Sequence, residues 1–105
     1  MVATQDRGII IRELTFEWDE NKAKANFKKH EVSFEEAKTV FNDPLLLTFP
    51  DFEHSNGEQR QLSIGLSAQG RVLIVVHTDR SKNIRLISGR KATPSERRIY
   101  EQGSF

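Results

Sequence analysis

RQLSIGLSAQGRVLIVVHTDRSKNIRLISGRK, residues 60–91, is the stretch on which the fold turns. Arg60, Leu62, Ile64 and Leu66 alternate with Gln61, Ser63 and Gly65. That period of two makes a half-buried strand. Ser67-Ala68-Gln69-Gly70 reads as a hairpin loop, and Val72 to Val76 is apolar at every position, as a central strand covered on both faces would be. Asp79 to Asn83 is a second tight connection, after which Ile84 to Ser88 returns as a strand. Connections this short join neighbouring strands antiparallel. Upstream, Leu45 to Phe49 is a further strand, and the polar segment 51–58 that follows it carries the turn dipeptide Asn56-Gly57. Four strands in hairpin succession are therefore expected.

On either side of this sheet the pattern changes to helix. A short strand is expected around Glu13–Glu17. Asp19 then opens a helix that ends in Lys28, Lys29 and His30, cations suited to the negative end of a helix dipole. Ser33 and Glu36 have the spacing of a capping box, with Val32 and Ala37 placed as a hydrophobic staple. Phe34, Ala37 and Phe41 give that second helix one buried stripe, and Asn42-Asp43-Pro44 stops it. Beyond the sheet, Thr93-Pro94-Ser95-Glu96 repeats the capping-box pattern with proline at the first helical position. The helix it starts should run to about Gln102, where Gly103 can end it. Helices and strands are segregated along the chain, so the class is α+β: an antiparallel meander packed against an N-terminal helical pair, with a C-terminal helix and one sheet face partly open.

Composition narrows the function. A chain of 105 residues predicts a single domain, in which residues 1–12, without a clear period, form a loose terminus. With no cysteine, disulfides, thiolate zinc sites and a cysteine nucleophile are excluded. The longest apolar run, Val72 to Val76, is far below the ~20 residues of a transmembrane helix, and the N-terminus lacks the pattern of a secretory signal. A cytoplasmic protein without membrane association is expected. The net charge of +1 hides a segregation: residues 1–70 hold 8 Lys+Arg against 12 Asp+Glu, whereas residues 71–105 hold 8 against 3. A polyanion contacted by the second part of the fold would account for it, as would chance clustering on a solvated face.

No P-loop, dinucleotide fingerprint, HExxH or nucleophile elbow is present, and His30, His54 and His77 have no recognisable metal spacing. Neither metal nor cofactor is expected. What remains are His, Glu and Arg at strand ends and loops. Glu58 and Arg60 lie two apart and share a face in a continuing strand, with His54 in the loop before them; a solvated Glu–Arg pair is the plainer reading. The second cluster is His77, Arg80, Arg85, Arg90 and Lys91. Arg85 and Arg90 have opposite parity, so a regular strand would send them to opposite faces; a bulge at Ser88-Gly89 would reunite them. Arginine suits phosphate because its planar fork binds two oxygens and stays charged. If the substrate is RNA, cleavage without a metal needs a base for the 2′-hydroxyl, cations for the charge on phosphorus and an acid for the leaving 5′-oxygen. His54 or Glu58 could be base or acid, and Arg60, Arg80 and Arg90 the cations. Lys28-Lys29-His30 fits a solvated helix end, with phosphate contact as the alternative. Phe16 and Trp18 read as core anchors, and Tyr100 as either core or site.

Phe16-Glu-Trp-Asp19, Lys22, Asn26, Lys29-His30 and Val32-Ser-Phe-Glu-Glu-Ala37 resemble the opening of the BrnT family of toxins. Asp43-Pro44, Asp51, His54, Glu58, Arg60, Gly70-Arg71, Thr78, Arg80, Arg85-Leu-Ile-Ser-Gly-Arg90, Ala92, Glu96-Arg97 and Tyr100 continue the pattern in order. Gly89 stands where that family commonly has alanine, and Glu31 where glycine often follows the Lys-His pair. The resemblance implies a RelE-like fold and an endoribonuclease toxin of a type II toxin–antitoxin system that cuts RNA and arrests translation. It also implies a BrnA-like antitoxin with a ribbon-helix-helix domain, bound to the toxin as a hetero-oligomer and carrying it to operator DNA. Carried over by motif, the catalytic set is His54, Glu58, Arg60, Arg80 and Arg90; from the charged clusters, Lys29, His77, Arg85 and Lys91 are expected as further RNA contacts. The alternatives are a degenerate toxin that persists as a corepressor, and a plain nucleic-acid-binding protein.

Overall fold

Strands and helices follow in the order β1 (Thr15–Glu17), α1 (Glu20–His30), α2 (Phe34–Ala37), a 3-10 turn (Lys38–Asn42), β2 (Leu47–Pro50), β3 (Gln61–Leu66), β4 (Val72–Arg80), β5 (Asn83–Lys91) and α3 (Pro94–Gln102). The computed structural model describes residues 14–52 and 58–103. The expected loose terminus at 1–12 and the Asn56-Gly57 turn lie outside these residues. The sheet order is β1-β5-β4-β3-β2. Strands β2 to β5 form the antiparallel meander that the hairpin spacing predicts. Strand β1 departs from it. It runs parallel to β5, with Thr15 opposite Asn83, Phe16 opposite Ile84 and Glu17 opposite Arg85, so the sheet is mixed. Parallel pairing needs a long crossover, and no local signal in the sequence announces it.

Helix α1 begins as expected: the Asp19 carboxylate accepts the Lys22 N–H at 3.0 Å. It ends at Glu31, which adopts the left-handed conformation (φ 59°) and donates its N–H to the Phe27 carbonyl at 2.8 Å. Asn26, buried on this helix, donates to the carbonyls of Val32 and Gly89, each at 2.9 Å, and accepts the Gly89 N–H at 3.1 Å. Strand β1 reaches along β5 only as far as Arg85. At Gly89 the Asn26 side chain takes the place of a strand and satisfies both backbone groups. The helical pair comes very close here, for a Cβ on residue 89 would lie 3.2 Å from that of Ala37.

Helix α2 keeps half of its expected capping box. The Ser33 hydroxyl accepts the Glu36 N–H at 3.0 Å. The Glu36 carboxylate does not return to the cap but is buried against Arg71, whose Nε donates at 2.9 Å, and Ser67, whose Oγ donates at 2.7 Å. The Arg71 guanidinium holds that carboxyl below its ordinary range, as a buried charge requires. From Lys38 the helix tightens to 3-10 geometry, and Thr39 Oγ1 donates to the Glu36 carbonyl at 2.6 Å.

The main core lies between the helical pair and one sheet face. Val32, Phe34, Ala37 and Val40 meet Leu73, Val75, Ile84 and Leu86, with Phe16, Trp18 and Phe41 packed around them. Phe16 and Trp18 are therefore core anchors; Trp18 meets Phe34 edge-on at 5.8 Å between centroids. A smaller cluster, Ile64, Ile74 and Ala92 with Ile99 and Tyr100, seats α3 on the second face. The Tyr100 hydroxyl donates to Asp43 at 2.5 Å, and partial burial with that carboxylate pushes its pKa up to about 12. Tyr100 thus ties α3 to the end of the sheet. Among the described residues no helix is long and apolar enough to cross a membrane.

Candidate active site

A β-bulge assembles the site. Between β4 and β5, Val76 pairs with Ser88 but His77 pairs with Leu86, leaving Ile87 as the extra residue. This is one position before the Ser88-Gly89 expected. Ile84 and Leu86 lie in the helix-side core, so Arg85 between them turns to the second face. Arg90 is opposite Ile74, which belongs to the second-face cluster. Two arginines five residues apart thus share one face.

Extending the β3–β4 register by one residue sets Arg60 opposite Thr78, which itself pairs with Arg85, itself opposite Glu17. One step further, Arg80 Nε and Nη2 donate to the two oxygens of Glu58 at 2.7 and 3.0 Å. Arg60, Arg80 and Arg85 all act on the Glu58 carboxylate and, with the Arg80 hydrogen bonds foremost, keep its pKa below the ordinary range. Glu17 bridges the group, 3.0 Å from Arg85 and 3.5 Å from Arg80. The Thr78 hydroxyl lies buried in this row and has no hydrogen-bond partner among the described residues.

Beside these cations the face hollows into a cleft of about 810 Å³. Leu62, Ile74, Val76, Ile87 and Ser88 line it, with Arg60, Arg90, Pro50, Asp51 and Phe52. Arg90 is held by Glu96 through two hydrogen bonds of 2.7 and 2.9 Å. Glu96 also accepts the Thr93 N–H at 2.9 Å, so the capping box that the sequence predicts for α3 is complete and doubles as the clamp on Arg90. The Arg90 guanidinium, with those backbone contacts, draws the Glu96 pKa down to about 2.

Magnitudes separate the arginines. Arg80 and Glu58 are each 45% exposed, and exposed ion pairs are worth about 0–1 kcal/mol. A phosphate can compete for Arg80 at that cost. Arg90, fixed to a partly buried carboxylate that also caps a helix, presents a more rigid charge.

Of the residues singled out in the sequence, Glu58, Arg60, Arg80, Arg85 and Arg90 are on one face. His54 lies outside the described residues. His77 is not on that face: it is 1% exposed beneath the helical pair, edge-on to Phe41, with Nε2 2.8 Å from Ser63 Oγ and Nδ1 2.9 Å from Asp79. Strand alternation causes this: the extra residue is on β5, β4 runs unbroken, and His77 shares the helix-side face with Leu73 and Val75. Lys91 pairs with Leu73 and so points away from Arg90. Lys29 is exposed at the end of α1, away from the cleft lining. Glu17, Glu96 and Phe52 were missed as parts of the site: Glu17 depends on a pairing across the chain, Glu96 reads as a helix cap and reaches Arg90 only through the turn into α3, and Phe52 follows a strand whose end the sequence sets one residue early. Among the described residues no three His, Asp or Glu side chains converge as metal ligands.

A mixed sheet backed by a helical pair, with clustered arginines on its other face, defines a class of small α+β proteins. The crystal structure of the Brucella abortus ribonuclease toxin BrnT, at 1.1 Å resolution, has this fold: it matches with a TM-score of 0.61 at 21% identity, covering 77% of this chain and 99% of that one. No protein of curated function matches the chain in sequence. The family model described as the ribonuclease toxin, BrnT, of type II toxin–antitoxin systems matches residues 18–96. The chain belongs to the BrnT family.

Proposed function

We propose that this protein is a metal-independent endoribonuclease of RelE-like fold, a one-domain cytoplasmic toxin that stops translation by cutting RNA. The observation that carries this reading is the gathering of Arg60, Arg80 and Arg85 around the Glu58 carboxylate, with Arg90 in the adjoining cleft on the same sheet face. Glu58, kept ionised, takes the proton of a ribose 2′-hydroxyl. The 2′-oxygen attacks the adjacent phosphorus, and the bond from phosphorus to the 5′-oxygen breaks. The 5′-oxygen leaves with a proton from His54, giving a 2′,3′-cyclic phosphate and a 5′-hydroxyl. Arg60 and Arg80 neutralise the charge that builds on the phosphoryl oxygens, and Arg90, further along the cleft, holds the neighbouring phosphate of the strand. Arg80, released from Glu58 when phosphate binds, frees the carboxylate at the moment it must accept a proton.

Membership of a type II family implies an antitoxin protein as partner. We assign that role to a BrnA-like protein with a ribbon-helix-helix domain, through which the complex reaches operator DNA. Expressed alone in bacteria, the chain should arrest growth, and Arg60→Ala or Arg80→Ala should relieve the arrest while leaving a folded protein. The purified protein should cut RNA in the presence of EDTA and leave cyclic phosphate ends. Full growth at confirmed expression, with RNA uncut, would overturn the reading. That outcome would instead favour a corepressor that no longer cuts, for which the pairing of Arg80, Arg85 and Arg90 with carboxylates of the same chain speaks.

A further inference from the structure

The cleft contains a group that phosphate chemistry does not use. Phe52 is 81% exposed, and it borders a floor made of Leu62, Ile74 and Val76. Single exposed apolar side chains are ordinary on protein surfaces. Phe52 differs because it lines the same cleft as this apolar floor, together with Arg60 and Arg90. A lining of this kind, apolar and aromatic side chains with two arginines and one carboxylate, Asp51, complements one chemical unit in particular. A nucleoside within an RNA strand has an apolar base face and an anionic phosphate on each side, and the 810 Å³ of the cleft is within the range of small-molecule sites. A protein segment would use the floor but would need acidic side chains at a matching spacing to use both guanidinium groups.

We propose that Phe52 is a stacking platform for one unpaired nucleobase of the RNA, with the phosphates on its two sides on Arg60 and Arg90. This rests on the ribonuclease reading and deepens it, for it makes the substrate single-stranded at the cut. A base within a duplex is stacked on its neighbours and cannot lie on the ring. Stacking on an aromatic side chain is tolerant of base identity, since every base has a π-face. Phe52 thus governs capture of RNA and leaves the proton transfers to other groups.

Binding and cutting are measured separately. Binding uses a single-stranded RNA oligonucleotide with 2′-O-methyl groups throughout, which lacks the nucleophile and stays intact. Phe52→Ala and Phe52→Leu should each weaken binding about tenfold, and Phe52→Trp should restore it to within about twofold. The tryptophan variant should also show fluorescence quenching on RNA addition beyond that of wild type, which carries only Trp18. With cleavable RNA the loss should fall on KM, with kcat nearly unchanged, and duplex RNA should be cut poorly by every variant. Binding by Phe52→Leu equal to wild type would overturn the proposal, because an apolar cover without a π-face would then suffice. So would variants that bind RNA normally but lose the antitoxin, which would assign the floor to a protein partner. If wild type neither binds nor cuts RNA, the ribonuclease reading falls and this inference with it; if wild type cuts and the Phe52 variants match it, only this inference falls. Phe52 is too exposed for its replacement to threaten folding, and a thermal melt of each variant checks that.

Discussion

Glu31 occupies the position where the BrnT pattern often has glycine, and its backbone shows why glycine suits it. The residue closes α1 in the left-handed region at φ 59°, a conformation that costs a side-chain-bearing residue roughly 1 kcal/mol. Its carbonyl accepts a hydrogen bond from Arg71 Nη2 at 3.1 Å, a contact of the backbone that glycine would keep. Glu31→Gly should therefore raise stability by about 0.5–1 kcal/mol, less whatever the freer unfolded chain takes back. Urea denaturation at neutral pH measures it, and a lower midpoint would show that the Glu31 side chain contributes more than its backbone strain costs. Gly89, the other departure, has the opposite character. There a side chain would meet Ala37 and Val32 at 3.2 and 3.4 Å, so the small residue matches a close approach of helix to strand.

Between elements, the join of α1 to β5 depends on Asn26. Its amide makes three buried hydrogen bonds, two of them to Gly89, beside the arginine that fixes one end of the cleft. Asn26→Ala would leave a buried N–H and two carbonyls without partners, at roughly 1–3 kcal/mol for each group that water cannot reach. A loss of about 2–4 kcal/mol is expected, read from chemical denaturation. Hydrogen exchange should localise it to the Gly89 amide, and unchanged protection there would refute the role. This contact was invisible in the sequence, as was the pairing of β1 with β5, because both link residues more than sixty apart. Elements with local signals were legible: the hairpins from alternation and loop length, the Ser33 and Thr93 caps from their spacing, the end of α3 from Gly103. Where two local signals shared a residue, only one was visible. Glu36 has the spacing of a capping box, yet burial beside Arg71 takes its carboxylate elsewhere. Glu96 satisfies its box and clamps Arg90 as well. The arginine cluster was legible as a list of residues. Its shared face required a bulge, and a single unpaired residue leaves too faint a mark to locate by pattern alone.

Across the molecule, acid should act in two stages. Burial pushes the His77 pKa below its ordinary 6.5, while Asp79 opposes that shift. A histidine held neutral contributes stability at high pH, which is lost as pH falls below 6.5 and the unfolded chain takes up the proton first. Carboxyls with lowered pKa act further down: for Glu96 the contribution is full above 4.5 and vanishes as pH falls through about 2. Stability measured against pH should therefore decline first as pH falls below about 6.5, then more steeply below 4.5. His77→Gln should abolish the first decline and lower stability at pH 8 by about 1–3 kcal/mol, since its partners Ser63 and Asp79 are only partly satisfied by an amide. A first decline that persisted in this variant would place the titrating group elsewhere.

The parallel pairing of β1 with β5 also sets an order in time. Thr15, Phe16 and Glu17 leave the ribosome early, but their partners Asn83, Ile84 and Arg85 are made almost seventy residues later. Arg90, the last cation of the cleft, follows five residues after that. A growing chain can form its helices and first hairpin while the Arg85–Arg90 end of the site does not yet exist. Synthesis thus gives this protein a built-in delay: the ribosome that makes it has translated past residue 90 before the cleft has both of its arginines.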